Sequence, residues 1–78
     1  MNMKDDLDLL KKQLEVNDKR LKKLEEHKKS IESELKNPKS EKDYDRLFET
    51  IKRLEHNLQI EYKRRDGIIK AMNSKAKF

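Results

Sequence analysis

The feature that most constrains this fold is a pair of apolar repeats on either side of a single proline. In each repeat the spacing alternates between three and four residues, which is typical of a coiled-coil seam. The first repeat is Leu7, Leu10, Leu14, Asn17, Leu21, Leu24, Lys28, Ile31 and Leu35. The second is Tyr44, Leu47, Ile51, Leu54, Leu58, Glu61, Arg65, Ile68 and Met72. The pattern predicts two helices, over about 3–36 and about 41–74, with a frayed basic tail at 75–78.

The segment between the repeats carries signals that stop one helix and start another. Asn37 tolerates the left-handed backbone conformation that ends many helices, and Pro38 cannot continue a helix. Ser40 is a favourable N-cap, and Asp43 follows three residues later, as in a capping box. A single kinked helix is the alternative, but a stop next to a start favours a reversal of the chain over residues 37–40.

An antiparallel hairpin can be tested on the numbering alone, because residues that face each other across it have a constant number sum. With a turn near 38–39, Leu21 faces Leu58 and Leu10 faces Ile68. All nine pairs of seam positions add to 78 or 79. The sequence therefore predicts an all-α fold with one domain over 1–78, a two-helix antiparallel coiled-coil hairpin that dimerises into a four-helix bundle.

Three polar residues interrupt the seam at matching places. Asn17 faces Glu61, and Arg65 lies one turn beyond Glu61 on the second helix. Polar seam residues lower stability but specify register and oligomeric state. We expect Asn17, Glu61 and Arg65 to form one hydrogen-bonded layer. The adjacent Gly67 lowers helix stability and gives another helix room to approach.

The chain also has apolar residues that the seam does not use. They are Leu9, Val16, Phe48, Ile60, Tyr62 and Ile69, and most lie near the open end of the hairpin. A chain of 78 residues with 32% hydrophobic and 47% charged residues should be marginal as a monomer. We therefore expect these six residues to form a binding surface, either for a second copy of the chain or for a helix of another protein.

The sequence lacks the features of a catalytic or ligand-binding protein. It has no cysteine, no glycine-rich phosphate loop and no pair of histidines at metal-ligand spacing. We expect no enzyme activity, no cofactor, no metal and no small-molecule substrate. No apolar run is long enough for a membrane span or a signal peptide, so we expect a cytoplasmic protein without a membrane partner. The abundance of lysine suggests a bacterial or phage origin.

Positive charge is concentrated at the C-terminal end. Residues 1–62 hold fifteen basic and fifteen acidic residues, so the net charge of +5 comes from residues 63–78. The candidates for nucleic-acid contact are Lys63, Arg64, Lys70, Lys75 and Lys77. A nucleic-acid-binding dimer, such as a phage or bacterial regulator, is therefore the alternative function. The other interpretation is a solvated helix end whose charge complements the helix dipole.

The tip sequence SEKDYD resembles the coiled-coil tip of bacterial transcript-cleavage factors. That resemblance implies a polymerase-binding hairpin in which Glu41, Asp43 and Asp45 help to hold a metal. The other interpretation is that these acids cap the second helix. In size and shape the hairpin also resembles the small co-chaperones of type III secretion.

The function that the sequence favours is a non-catalytic protein-interaction module. It would be a small regulator, adaptor, inhibitor or co-chaperone that acts by helix–helix binding. A structural scaffold element is a further alternative.

Overall fold

Two long helices packed side by side make up the computed structural model, which describes residues 3–76. Helix α1 spans Met3–Leu35 and helix α2 spans Glu41–Ala76. The chain reverses between them, and the hairpin measures 58 × 15 × 14 Å. The prediction of an all-helical hairpin is confirmed. Helix α1 ends one residue before its expected end, while α2 continues to Ala76 and includes Lys75, which was expected in the tail.

The core lies along the seam, and α2 contributes most of it. The buried apolar side chains are Leu21, Leu47, Ile51, Leu54, Leu58 and Ile68, each at most 9% exposed. Burial of one such side chain is worth about 1.5–3 kcal/mol. Within the described residues, the other α1 seam leucines and Ile31 are only half-buried. Two helices alone therefore shield α2 well but leave α1 partly open to water.

The second helix begins with a hydrogen-bonded cap. The Asp43 backbone N–H donates to Ser40 Oγ at 3.1 Å, and the Lys39 N–H donates to Asp43 Oδ2 at 3.0 Å. Arg46 donates to Asp43 Oδ1 at 2.6 Å. The Arg46 guanidinium and the Lys39 N–H together hold the pKa of Asp43 below its usual value. These contacts explain why α2 starts directly after the turn.

The first helix ends differently from the expectation for Asn37. The Lys36 N–H donates to the Ser33 carbonyl at 3.3 Å, and the Asn37 N–H donates to the Glu34 carbonyl at 3.1 Å. These three-residue turns satisfy carbonyls at the helix end. No non-glycine residue among those described has a positive φ. The left-handed conformation suggested for Asn37 is therefore wrong, because a tightened last turn ends the helix before Pro38.

The seam opens near the turn. Tyr44, expected in the layer opposite Leu35, is 43% exposed and stacks on Phe48 with 6.1 Å between ring centroids. Lys52 Nζ lies 4.7 Å from the centre of the Phe48 ring. Because Tyr44 belongs to the first turn of α2, no further layer covers it on the turn side. Its ring packs against Phe48 of the same helix, and both rings are exposed on the surface.

Candidate protein-interaction site

A polar layer crosses the seam at Asn17, which is only 1% exposed. Its Nδ2 donates to Glu61 Oε2 at 2.6 Å and to the Glu61 backbone carbonyl at 3.2 Å. Arg64 donates to the other carboxylate oxygen of Glu61 at 3.0 Å. Asn17 Oδ1 is buried and has no hydrogen-bond partner. The layer thus joins the two helices through one carboxylate and leaves one amide oxygen unsatisfied.

Arg65 takes a different partner from the one the sequence suggested. Its Nε donates to Asp18 Oδ1 at 2.9 Å, so Arg65 joins α2 to α1 beside the Asn17 layer and not within it. Arg64 is the arginine that contacts Glu61. Both side chains of the Arg65–Asp18 pair are more than 40% exposed, so water screens their attraction. Such a pair contributes under about 1 kcal/mol.

One side of the hairpin, which we name the Arg20 face, carries Val16, Arg20 and Lys23 of α1 beside Ile60 and Arg64 of α2. Two adjoining grooves of about 360 Å³ each follow this face and meet at Arg20. Val16 is 50% exposed and Ile60 is 43% exposed. Leu9, at 57%, lies seven residues before Val16 and so on the same side of α1.

The opposite side, which we name the Tyr62 face, carries Phe48, Tyr62 and Ile69 of α2 beside Glu25 of α1. The three α2 residues are separated in turn by fourteen and by seven residues and so share one side of the helix. The Tyr62 hydroxyl donates to the Glu25 carboxylate, and this bond raises the pKa of Tyr62 above its usual value. Tyr62 is 49% exposed and Phe48 is 40% exposed. A groove of about 410 Å³ runs between the helices here.

The six apolar residues proposed for binding therefore do not form one patch. The seam separates Leu9, Val16 and Ile60 from the Tyr62 face, because the two sets flank it on opposite sides. Their positions within the repeat contain this information, because the antiparallel register fixes which flank of α1 lies beside which flank of α2.

The two faces differ in charge. The Arg20-face grooves are lined by four basic residues and one acid, Glu61, whose carboxylate is already bonded to Asn17 and Arg64. The basic residues are Lys12, Arg20, Lys23 and Arg64. The Tyr62-face groove is lined by two lysines and three glutamates. One face is thus strongly basic, whereas the other is nearly balanced.

The candidates for nucleic-acid contact are partly engaged within the hairpin. Lys70 pairs with Asp66 at 3.1 Å, and Lys75 pairs with Asp6 at 3.0 Å across the open end. Arg64 pairs with Glu61, as described above. Lys63 is exposed, and Lys77 lies outside the described residues. These pairs reduce the positive field that this segment presents to a phosphate backbone.

Two kinds of feature are absent from the described residues: a cluster of metal-ligating side chains and a helix able to span a membrane. No group of three histidine, aspartate or glutamate side chains within it could hold a metal ion. At the tip, the carboxylate of Asp43 is occupied by the helix cap and Arg46. Neither helix, over its described length, combines the length and apolar character needed to cross a bilayer.

Comparison with protein-family models, curated proteins and solved structures finds no match for this chain. Its site must therefore be interpreted from its own residues.

Proposed function

We propose that this protein is a non-catalytic interaction module that binds helices through the two faces flanking its seam. In this role it acts as a small regulator, adaptor, inhibitor or co-chaperone. The observation that carries the proposal is the exposure of Leu9, Val16, Ile60, Phe48 and Tyr62, each 40–57% accessible to solvent. The two helices pack together without them, so they are available to a further helix.

The amount of this apolar surface supports association. Partial burial of five large side chains by a partner would add several kcal/mol at about 25 cal/mol per Å². The half-buried seam of α1 also supports association, because a third and fourth helix would cover it as in a four-helix bundle.

We assign self-association to the Tyr62 face. A two-fold symmetric dimer brings the same patch of both subunits together. The nearly balanced charges around Tyr62 allow such a patch to face its own copy, with lysines of one subunit near glutamates of the other. Phe48, Tyr62 and Ile69 supply the apolar contact. The resulting dimer is a four-helix bundle.

Light scattering coupled to size exclusion tests the dimer. We expect a mass of about twice the 9.5 kDa of one chain. A Tyr62→Ala, Ile69→Ala double variant should shift the mass towards one chain. A Leu9→Ala, Val16→Ala double variant is the matched control from the other face and should keep the dimer. Circular dichroism checks that both variants remain helical.

A wild-type protein that stays monomeric at high concentration and binds no amphipathic helical peptide would refute the interaction module. A dimer that survives the Tyr62, Ile69 change but not the Leu9, Val16 change would refute the assignment of faces.

A further inference from the structure

Arg20 lies at the centre of the Arg20 face and has no acidic residue one turn away on its own helix. The residues one turn before and after it on α1 are Val16, Asn17, Lys23 and Leu24. Among the described residues, none of Lys12, Arg20 and Lys23 forms an ion pair. Arg53 is also without an ion pair among the described residues, whereas Arg46, Arg64 and Arg65 each pair with an acid of the hairpin.

The surroundings of Arg20 combine charge with apolar surface. Val16 and Ile60 lie on the same face and are about half exposed. Along α1 the two grooves extend from Lys12 to Leu24, roughly 18 Å at 1.5 Å per residue. A helix of about three turns fits that length. Apolar residues in the middle with basic residues beside them match an amphipathic helix that has acidic flanks.

A second copy of the chain does not fit this face. In a symmetric pair, the four basic residues of one subunit would face the same four residues of the other. The one acid in the grooves, Glu61, is already bonded within its own subunit. Like charges brought together across an interface cost several kcal/mol.

We propose that the Arg20 face binds an acidic amphipathic helix of a partner protein, with a carboxylate of that helix on the guanidinium of Arg20. The planar guanidinium matches a carboxylate in a bidentate pair, and the apolar stripe of the partner covers Val16 and Ile60. This inference rests on the proposed function and extends it by giving the chemistry of the partner. It leaves the Tyr62 face to self-association.

Two fluorescent peptides of about 14 residues, close to four helical turns, provide the test. The first carries leucines at helical spacing i, i+3, i+4 and i+7 with glutamates on both flanks. The second is identical except that lysines replace the glutamates. We expect the glutamate peptide to bind the full-length protein at least about tenfold more tightly in fluorescence anisotropy, with an affinity that falls as salt rises.

Charge reversal locates the site. Arg20→Glu should weaken the glutamate peptide by about tenfold or more and should improve binding of the lysine peptide. Lys42→Glu is the matched control, because Lys42 is an exposed cation at the start of α2 that lines the groove of neither face. It should change affinity by less than about twofold, since water and salt screen a distant exposed charge. Circular dichroism confirms that both variants fold. Binding of the lysine peptide to the Arg20→Glu variant is a second indication that this variant is folded.

Four results would overturn the inference. Equal binding of both peptides would show that the partner helix does not need acidic residues. Equal effects of Arg20→Glu and Lys42→Glu would show that the peptide does not bind at Arg20. Tight binding of duplex DNA that is lost in Arg20→Glu but unchanged in a Val16→Ala, Ile60→Ala variant would identify a phosphate-binding surface instead. If neither peptide binds but the protein is a dimer through the Tyr62 face, this inference fails while the interaction module stands.

Discussion

The contact between Asn17 and Glu61 provides the sharpest quantitative prediction. Asn17 Nδ2 donates to the Glu61 carboxylate at 2.6 Å in a place where Asn17 is 1% exposed. Glu61→Ala removes that charge-assisted bond and leaves the amide with its 3.2 Å bond to the backbone carbonyl. A hydrogen bond to a charged group contributes about 1.5–3 kcal/mol. We expect Glu61→Ala to lower the free energy of unfolding by about 2 kcal/mol.

Replacement of both partners should have the opposite effect. In an Asn17→Leu, Glu61→Leu variant the buried amide disappears, together with its unsatisfied Oδ1. Leaving such an atom buried costs about 1–3 kcal/mol. Two leucines would also continue the seam from Leu21 and Leu58. Replacing buried ion pairs with packed apolar residues is often neutral or stabilising, by up to about 4 kcal/mol. We expect this variant to be more stable than wild type by an amount in that range.

Urea denaturation followed by circular dichroism at 222 nm measures both variants. It should be run at several protein concentrations, because dimerisation stabilises the folded state by mass action. Light scattering on the double variant is informative as well, since polar seam residues restrict oligomeric state. A double variant that is less stable than wild type would refute the reasoning, because it would mean that the polar layer contributes more than an apolar seam.

Three further predictions concern the core, the helix and the cap. Leu47→Ala should lower the free energy of unfolding by about 2–5 kcal/mol in urea denaturation, because Leu47 is 2% exposed and its loss leaves a cavity. Gly67→Ala should raise the melting temperature, with a gain of up to about 1 kcal/mol, because a Cβ at Gly67 would meet no atom within 4 Å and alanine favours the helix. The pKa of Asp43 in the folded protein is held below its ordinary 3.8. The stability that the ionised Asp43 carboxylate adds to the folded state is therefore complete above pH 3.8, and it is lost as the pH falls through the lowered pKa. An NMR titration of the Asp43 carboxyl, with α2 amide exchange measured over the same pH range, should show the first turn of α2 loosening only in acid. Asp43→Asn should abolish this dependence on pH.

The hairpin could be predicted from the sequence because its determinants are local or periodic. The spacing of the seam residues predicts two helices, and Ser40 and Asp43 mark the start of the second. Because facing positions have a constant number sum, the sequence also limits which seam residues of the two helices can lie opposite each other. Asn17 and Glu61, which add to 78, are in hydrogen-bond contact in the structure.

The partners of long side chains were harder to predict. Arg65 occupies a seam position by spacing, yet its flexible side chain turns to Asp18 at the edge. Arg64, one residue earlier, reaches Glu61 instead. Periodicity gives the direction of a Cβ but not the rotamer that follows it. The absence of acids one turn away from Arg20 and the nearness of Val16 were visible in the sequence, and only the hairpin places Ile60 of α2 beside Arg20.

The central claim is that the two faces have separate roles, and one NMR experiment tests it most directly. Amide resonances of the labelled protein are followed first on dilution and then on addition of the glutamate peptide. Dilution should shift resonances around Phe48, Tyr62 and Ile69 only. The peptide should shift those around Val16, Arg20 and Ile60 only. If dilution and peptide move the same set of resonances, the faces do not have separate roles and the account is contradicted.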